Sequence, residues 1–220
     1  DKLRDGDSRY AYSLQHLQTT DNGFTGQLNY NRVSDNNYFT DLSSGIAQTS
    51  QTQLLQQGVL SYGGGGWWNA TANVQQYQTL QPDPSNPVLV PYKLMPQITV
   101  NARKPDLYMT DSSFLGQYTS FKINERVQNG TIYPDGQRTV LYPQVALPYV
   151  TPGWYITPKL GVNIRHYALS GQAAGTPGSI SSTLPIASID SGMTFERPSN
   201  WFGRDYTQTL EPRLFYLNVP

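Results

Sequence analysis

The sequence predicts an all-β protein, an antiparallel transmembrane β-barrel segment contributing about ten strands to a larger barrel. Polar and apolar residues alternate with period two, connections alternate between short and long, and aromatic residues cluster towards strand ends. No stretch shows helical periodicity over three turns, and no apolar run reaches the roughly 18 residues of a transmembrane helix. The predicted strands are 9–18, 24–33, 53–62, 67–80, 93–101, 113–127, 138–148, 154–169, 185–197 and 206–217.

The alternation gives each predicted strand one apolar and one polar side. In 24–33, for example, Phe24, Leu28 and Tyr30 alternate with Gln27 and Asn29. Successive strand residues point to opposite faces of a sheet, so the polar residues share a face. We expect the polar faces of 24–33, 67–80 and 154–169 to line a hydrated lumen. The lumen-facing candidates are Asn29, Asn31, Asn69, Asn73, Gln75, Asn163 and Arg165.

The connections carry a second signal because they alternate in length along the chain. The tight ones are 19–23, 63–66 and 149–153, and the long ones are 34–52, 81–92, 128–137 and 170–184. Two intermediate ones, 102–112 and 198–205, fall in short positions. Outer-membrane barrels have short periplasmic turns and longer extracellular loops. We therefore expect 34–52 to be extracellular and to fold over the barrel mouth.

Aromatic residues give the third signal. Trp and Tyr favour the boundary between membrane and water, which produces the aromatic girdles of barrels. The girdle candidates are Trp67, Trp68, Trp154, Tyr155, Tyr167, Phe215 and Tyr216.

Composition excludes several classes of function. Lys plus Arg and Asp plus Glu both number 15, so the basic excess of a nucleic-acid-binding protein is absent. Cysteine is absent, which excludes a thiol nucleophile and a thiolate metal site in this chain. Neither His16 nor His166 has acidic neighbours in the sequence, and no triad or phosphate-binding loop occurs. We expect no catalytic, metal or cofactor site, and no enzyme.

Glu211, Pro212 and Arg213 form a charged stretch near the chain's end. Residues two apart in a strand share a face, so Glu211 and Arg213 are expected to form a luminal or interfacial ion pair. Pro212 between them implies a missing ladder hydrogen bond.

The residues described so far leave two functional interpretations open. A passive porin-type channel shares the alternation and the girdles. A soluble, secreted all-β carbohydrate-binding module also suits a neutral, Tyr-rich composition, and it predicts solubility without detergent.

Ordered motifs resemble the lipopolysaccharide-assembly family LptD, also called OstA or imp. Asp35 closes a "VSD" stretch, and Tyr38, Phe39 and Asp41 follow it in the family's "YF.D" pattern. Residues 206–220 are similar to the family's "TLEPR…YL.VP" strand, which contains Glu211, Pro212 and Arg213. Further matches at 74–78, 94–97 and 191–197 occur in family order.

The resemblance implies the position of the chain in a larger protein. Residues 1–220 would be part of one outer-membrane β-barrel domain, from the first half of the C-terminal barrel. The periplasmic jellyroll domain and the barrel-closing strands would not be present in this chain.

The resemblance also implies a function without covalent chemistry. Proteins of this family insert lipopolysaccharide into the outer leaflet of the Gram-negative outer membrane. Their lipoprotein partner LptE plugs the barrel, and the periplasmic bridge protein LptA delivers the lipid to the N-terminal domain. The expected partners are therefore lipopolysaccharide, LptE, LptA and outer-membrane lipids, with no nucleic acid.

Overall fold

A computed structural model describes residues 8–42 and 51–220, which form an all-β antiparallel chain with one short helix. The all-β prediction is confirmed. Residues 43–50 of the predicted connection 34–52 lie outside the described residues. In chain order the elements are β1 Ala11–Thr19, β2 Phe24–Val33, α1 Tyr38–Leu42, β3 Gln53–Tyr62, β4 Trp68–Thr79, β5 Lys93–Leu107, β6 Thr110–Lys122, β7 Val127–Gln128, β8 Thr131–Ile132, β9 Asp135–Ala146, β10 Tyr149–Val150, β11 Trp154–Ser170, β12 Ser179–Met193, β13 Phe195–Trp201, β14 Arg204–Leu210 and β15 Arg213–Asn218.

One 11-stranded sheet contains most of these strands. Its order is β1-β2-β3-β4-β5-β6-β9-β11-β12-β15, and β10 pairs with β11 beside this path. Two separate two-stranded ribbons, β7–β8 and β13–β14, complete the strand pairing. Sequential strands therefore pair with each other, or with the next long strand, throughout the sheet.

The hairpin β1–β2 shows why this region could be predicted closely. Clean alternation and the turn Asp21-Asn22-Gly23 define its limits, and β2 and β3 begin and end where the sequence predicts. Gly23 has a φ of 87°, and a Cβ there would lie 2.6 Å from the Gly64 backbone. Glycine thus meets two demands, a left-handed backbone and the close approach of the next turn.

The connection between β5 and β6 is shorter than predicted. The predicted strand 93–101 continues to Leu107, and only Tyr108 and Met109 separate β5 from β6. Both turn residues have positive φ, at 50° and 68°. The predicted intermediate connection 102–112 is therefore wrong, and the correction makes this turn as short as its position in the alternation requires.

The last two predicted strands are each interrupted. The prediction of one strand over 206–217 is wrong, because β14 ends at Leu210 and β15 begins at Arg213. Pro212 has no N–H for the ladder, and the Thr194 N–H donates to the Gly153 carbonyl instead, at 2.9 Å. The break at Thr194 lies opposite the break at Glu211 and Pro212. The pairings β12–β15 and β13–β14 therefore belong to separate sheets.

The register nevertheless continues across this break. Gly192 pairs with Arg213, Phe195 pairs with Leu210, and the intervening residues keep the same offset. The turn of the outer hairpin is Phe202–Gly203, within the predicted connection 198–205.

The chain divides into two compact units. The first comprises the described residues up to Val100 together with Gln117–Thr139 and His166–Ile180. Within the described residues, the buried hydrophobic side chains, Val33, Leu54, Leu80 and Ile123, all belong to this unit. Three of them form a small core against which the side chains of Tyr38 and Phe39 pack.

The second unit comprises Asn101–Gly116, Val140–Arg165 and Ser181–Pro220. It contains the outer parts of the later hairpins, including the ribbon β13–β14. Every residue of β14 and β15 is exposed.

Candidate functional site

The first four strands share a polar face that runs across the sheet. Gln15 pairs with Asn29, Asn29 with Gln57, and Gln57 with Gln75, so four amides lie in one cross-strand row. Cross-strand partners point to the same side of a sheet. The row therefore places two of the candidate residues, Asn29 and Gln75, on one face.

Hydrogen bonds between side chains connect this polar face. Gln57 Nε2 donates to Asn73 Oδ1 and to Gln75 Oε1, each at 3.1 Å. Asn31 Nδ2 donates to Asn29 Oδ1 at 2.8 Å. We call the set Asn29, Asn31, Gln57, Asn73 and Gln75 the amide ladder. The sequence prediction missed Gln57, which the register pairs with both Asn29 and Gln75.

The remaining lumen-facing candidates lie on similar positions. Asn69 alternates onto the face of β4 that carries Asn73 and Gln75. In the second unit, Arg165 Nε donates to Asn163 Oδ1 at 2.9 Å, so these two share a face of β11.

Towards the short turns, the opposite face of β2–β4 is apolar, and farther along the same face Gln56 pairs with Gln76. Leu28 pairs with Gly58 and Gly58 with Val74, while Leu60 pairs with Ala72. At the short-turn end of this face the rings of Phe24 and Tyr62 lie 4.8 Å apart, and those of Tyr62 and Trp68 lie 4.9 Å apart. An apolar depression of about 590 Å³ adjoins these rings, lined also by Leu60, Ala70, Ala72 and Ile98.

Three girdle candidates lie on apolar faces or beside them. Trp68 belongs to the ring cluster just described. Trp154 packs against Tyr149, with ring centroids 5.2 Å apart, and Tyr216 pairs with Ile189. Trp67 precedes β4 and is half exposed in the turn.

For three other girdle candidates the structure shows which face of the strand each ring occupies, and their girdle role stays a prediction. Tyr155 lies over Gly192, where an added Cβ would be 2.5 Å from its ring, and its hydroxyl is 3.4 Å from Asp190 Oδ1. Phe215 pairs with Asp190. Neighbouring residues point to opposite faces, so Tyr155 cannot share a face with Trp154, nor Phe215 with Tyr216.

The girdle role of Tyr167 also stays a prediction. It is two residues from Arg165 in the continuous strand β11, so it alternates onto the polar side of that strand. Clustering near strand ends was visible in the sequence, but the face of each ring depends on the pairing.

The ion pair predicted between Glu211 and Arg213 is also corrected. Arg213 instead binds Asp190 through two parallel hydrogen bonds, Nε to Oδ1 at 2.8 Å and Nη2 to Oδ2 at 2.6 Å. Asp190 lies on the neighbouring strand β12, where the Gly192–Arg213 pair brings it within reach. Glu211 and Pro212 occupy the break between β14 and β15.

The motif residues at the other end of the sheet form an ion-pair cluster. Arg9 donates to both carboxylate oxygens of Asp35, at 2.8 and 3.0 Å, and to Asp41 at 3.1 Å. Its guanidinium also lies 5.8 Å from the Tyr38 ring centroid, and Tyr38 packs edge-on against Phe39 at 5.5 Å. The cluster thus ties the start of the long connection to the segment that precedes β1.

Burial and charge act in opposite directions on the pKa of Asp35. Its partial burial alone would raise the pKa, but hydrogen bonds from Arg9 and Ser34 and the charge of Arg9 lower it. The net pKa lies below the usual range for an aspartate, so the carboxylate remains charged well into acid.

Three glutamine side chains bind the backbone of a valine in a neighbouring segment. Gln78 accepts from the Val33 N–H at 2.9 Å and donates to its carbonyl at 2.8 Å. We call these pairs the glutamine clamps. The others are Gln81 with Val88, at 2.8 and 2.7 Å, and Gln128 with Val90, at 2.6 and 3.1 Å.

Asp135 fixes the connection that follows β6. Its carboxylate accepts from the Ile123 N–H and from Arg126 Nη2, each at 2.9 Å, and lies 3.5 Å from Lys122 Nζ. The Tyr92 hydroxyl donates to the Pro134 carbonyl at 2.7 Å, which joins the connection before β5 to the same region. With the clamps, these contacts make an ordered layer from the long connections of the first unit.

No group of three or more His, Cys, Asp or Glu side chains in the part of the chain that the structure describes could hold a metal ion. No described helix is long and apolar enough to cross a membrane.

The pairing and the two contrasting faces define a class, namely antiparallel all-β chains with an amide-rich face and an apolar, aromatic-edged face. A family profile described as LPS transport system D, LptD, matches residues 7–220. The chain therefore belongs to the LptD family.

Relatives with known names agree with this assignment. The chain is 45% identical over 219 residues to the LPS-assembly protein LptD of Azoarcus sp. (strain BH72), and 42% identical over 216 residues to that of Aromatoleum aromaticum. Each alignment covers 98% of this chain and 26% of the relative. The LptD of Chromobacterium violaceum is 40% identical, over 27% of its length. The chain thus spans about a quarter of these relatives.

Proposed function

We propose that this chain forms part of the wall of an outer-membrane β-barrel that inserts lipopolysaccharide into the outer leaflet of Gram-negative bacteria. The observation that carries the proposal is the constant register of β1–β4, which puts the amide ladder on one face and an apolar surface on the other. Hydrocarbon offers no hydrogen bonds, so a spanning sheet must pair its backbone internally and direct polar side chains away from lipid.

The amide ladder suits a hydrated passage for a sugar-rich cargo. Amide groups both donate and accept hydrogen bonds, so they can exchange partners with hydroxyl groups without binding a charge. In this proposal Asn29, Asn31, Asn69, Asn73, Gln75, Asn163 and Arg165 face the lumen. The apolar face contacts outer-membrane lipids.

The lengths of the connections indicate which ends of the strands face the periplasm. The short turns lie on the periplasmic side and the long connections outside, as in other outer-membrane barrels. The ring cluster of Phe24, Tyr62 and Trp68 then marks the periplasmic boundary of the lipid. The ordered layer of long connections covers the extracellular mouth, and Arg9 and Asp35 anchor its first loop.

The remaining partners act through the larger protein. We place residues 1–220 in the first half of the C-terminal barrel. In this arrangement LptE plugs the lumen and LptA delivers lipopolysaccharide through an N-terminal domain. Family membership favours this function over a passive porin-type channel or a soluble carbohydrate-binding module.

Engineered cysteines on adjacent residues of β4 test the two faces. Asn73→Cys and Gln75→Cys in the full-length protein should react with a water-soluble maleimide. The matched controls Ala72→Cys and Val74→Cys should react only with a lipid-soluble reagent. This segment has no cysteine of its own, so each engineered thiol is unique in it. Equal labelling of neighbouring positions by the water-soluble reagent would disprove a spanning wall.

Depletion of the full-length protein tests the cargo. Surface lipopolysaccharide should fall, and the wild-type gene should restore it. Gln57→Leu with Gln75→Leu should restore it poorly although a heat-modifiable barrel still assembles, because two ladder amides are lost. Unchanged lipopolysaccharide with reduced uptake of small solutes would indicate a porin-type channel instead. A protein that remains soluble without detergent would indicate the carbohydrate-binding module.

A further inference from the structure

The ribbon β13–β14 has two faces of different chemistry. Its register pairs Phe195 with Leu210, Ser199 with Tyr206, and Trp201 with Arg204, so these side chains share one face. Arg197 pairs with Gln208 on the same face, and its Nε donates to Gln208 Oε1 at 2.8 Å. The face is therefore aromatic, apolar and basic, and we call it the basic face.

The acidic residues of the ribbon lie on its other face. Glu196 pairs with Thr209, and Asn200 pairs with Asp205, with an Asn200 to Asp205 hydrogen bond of 2.7 Å. Both ribbon arginines thus lie with the aromatic rings, and both acids lie opposite. This separation gives one side of a thin hairpin a net positive charge.

The basic face continues an apolar face of the main sheet. The pairing offset is the same on both sides of the break at Thr194 and Pro212. Residues an even number of positions apart therefore stay on one side of the strand. Met193 and Phe195 accordingly lie on the same side as the pair Ile189 and Tyr216. From the sheet outwards, the surface changes from aliphatic to aromatic and then to arginine-bearing.

Strand length places the ribbon outside the hydrocarbon. About 9–11 tilted residues cross a bilayer, and β12 alone has 15 residues. The seven-residue strands of the ribbon extend farther, on the side of the short turns.

The ribbon also has an open depression lined mostly by residues of the basic face. Its volume is about 440 Å³, and it is lined by Ser199, Trp201, Phe202, Tyr206, Thr207 and Gln208. Trp201 is 64% exposed, and Phe202 at the turn is fully exposed. A two-stranded ribbon that buries so little is marginal in water, so a covering surface would stabilise it.

We propose that the basic face of β13–β14 binds the phosphate headgroups of anionic phospholipids in the leaflet at the short-turn end. The inference rests on the proposed spanning wall. Trp and Tyr favour the interface, and Arg binds phosphate through a planar set of donors. Both acids face away from the membrane. The ribbon then acts as an arm that lies along the headgroup layer and sets the depth of the adjoining strands.

The test measures phospholipid bound to the full-length protein in nanodiscs of phosphatidylcholine mixed with phosphatidylglycerol. Arg197→Gln with Arg204→Gln should reduce the excess of phosphatidylglycerol at these sites roughly twenty-fivefold, since each surface arginine contributes about a fivefold preference. Mass spectrometry of the retained lipid gives the readout. Lipid retention unchanged by the double substitution would overturn the proposal.

Two further double variants distinguish an effect of charge on lipid retention from an effect of misfolding. Glu196→Gln with Asp205→Asn alters the same number of charges on the other face and should leave retention unchanged or raise it. Arg197→Lys with Arg204→Lys should restore most of the retention, since it keeps the charge. Equal losses in all three variants would assign the effect to the fold of the ribbon and overturn the proposal.

A separate assay distinguishes this inference from the proposed function. Heat-modifiability and outer-membrane fractionation report whether the wall spans a membrane. A protein that assembles normally but shows no arginine-dependent lipid retention would refute only the ribbon's role. A protein that never enters the membrane would refute the spanning wall. Loss of a cross-link to a periplasmic protein, with lipid retention intact, would assign the basic face to a protein partner instead.

Discussion

The long connections of the first unit and the ribbon of the second unit differ in how their chains are held. The connections are irregular in backbone, yet they contain Leu80 at 1% exposure and Gln128 at 7%. The ribbon has regular pairing throughout, yet Leu210 is 66% exposed and Phe202 fully exposed. Regular hydrogen bonding therefore does not by itself bury side chains. Irregular chain can be fixed firmly where side chains supply the missing backbone partners.

The largest expected effect comes from the buried side of this comparison. Leu80→Ala removes the most buried large side chain of the described connections and should destabilise the folded protein by about 2–5 kcal/mol. The matched change Leu210→Ala on the ribbon should cost less than about 0.5 kcal/mol. The midpoint temperature of the heat-modifiability shift measures both. Similar shifts for the two leucines would mean that the connections do not form a packed core.

A glutamine clamp should give the next largest effect. Gln128→Leu leaves both backbone groups of Val90 without their partner and should cost about 1–3 kcal/mol. Gln208→Leu on the ribbon is the control, with an expected cost below about 0.5 kcal/mol. Denaturant titration in detergent compares them, and a neutral Gln128→Leu would show that the clamp is dispensable.

Acid should loosen the first long connection before the ribbon. The pKa of Asp35 is lower in the folded state, so its stabilising contribution is complete above the usual aspartate pKa. That contribution disappears as the pH falls through the lowered value. Protease cleavage near 35–41 should rise in that acidic range for the wild type. Arg9→Gln should raise cleavage at neutral pH and remove most of the acid dependence, and an unchanged profile would argue against the ion pair.

The smallest expected effect concerns the break beside the ribbon. Pro212→Ala restores an N–H where the ladder is interrupted, and stability should change by less than about 0.5 kcal/mol. Hydrogen exchange should nevertheless slow at 193–195 and 211–213, as the two sheets join. Faster exchange there would mean that proline stiffens the joint more than its missing donor weakens it.

Local patterns in the sequence predicted the regular parts of the fold. β2 and β3 begin and end as predicted, because alternation and an Asn-Gly turn act within a few residues. Pro143 weakened the prediction of 138–148, yet β9 spans Asp135–Ala146. The start of β9 was missed because the hydrogen bonds of Asp135 to Ile123 and Arg126 connect separate segments.

The candidate site was predictable in its faces and less so in its partners. Alternation grouped Asn29 with Asn31 and Asn73 with Gln75, since parity is a local property. The partner of Arg213 was not predictable, because Asp190 lies 23 residues away and becomes a neighbour only through the β12–β15 register. The same limit explains why the sequence did not show which face Tyr155 and Phe215 occupy.

The glutamine clamps have a consequence for how the lengths of these connections can change in evolution. An amide side chain presents the same donor and acceptor as a peptide group. Each clamp therefore supplies the two hydrogen bonds that a backbone residue of an adjacent strand would supply. Gln78, Gln81 and Gln128 therefore fix both sides of a connection without fixing the number of residues between them. In the proposed orientation, insertions and deletions can accumulate at the cell surface while the sheet beneath keeps its register.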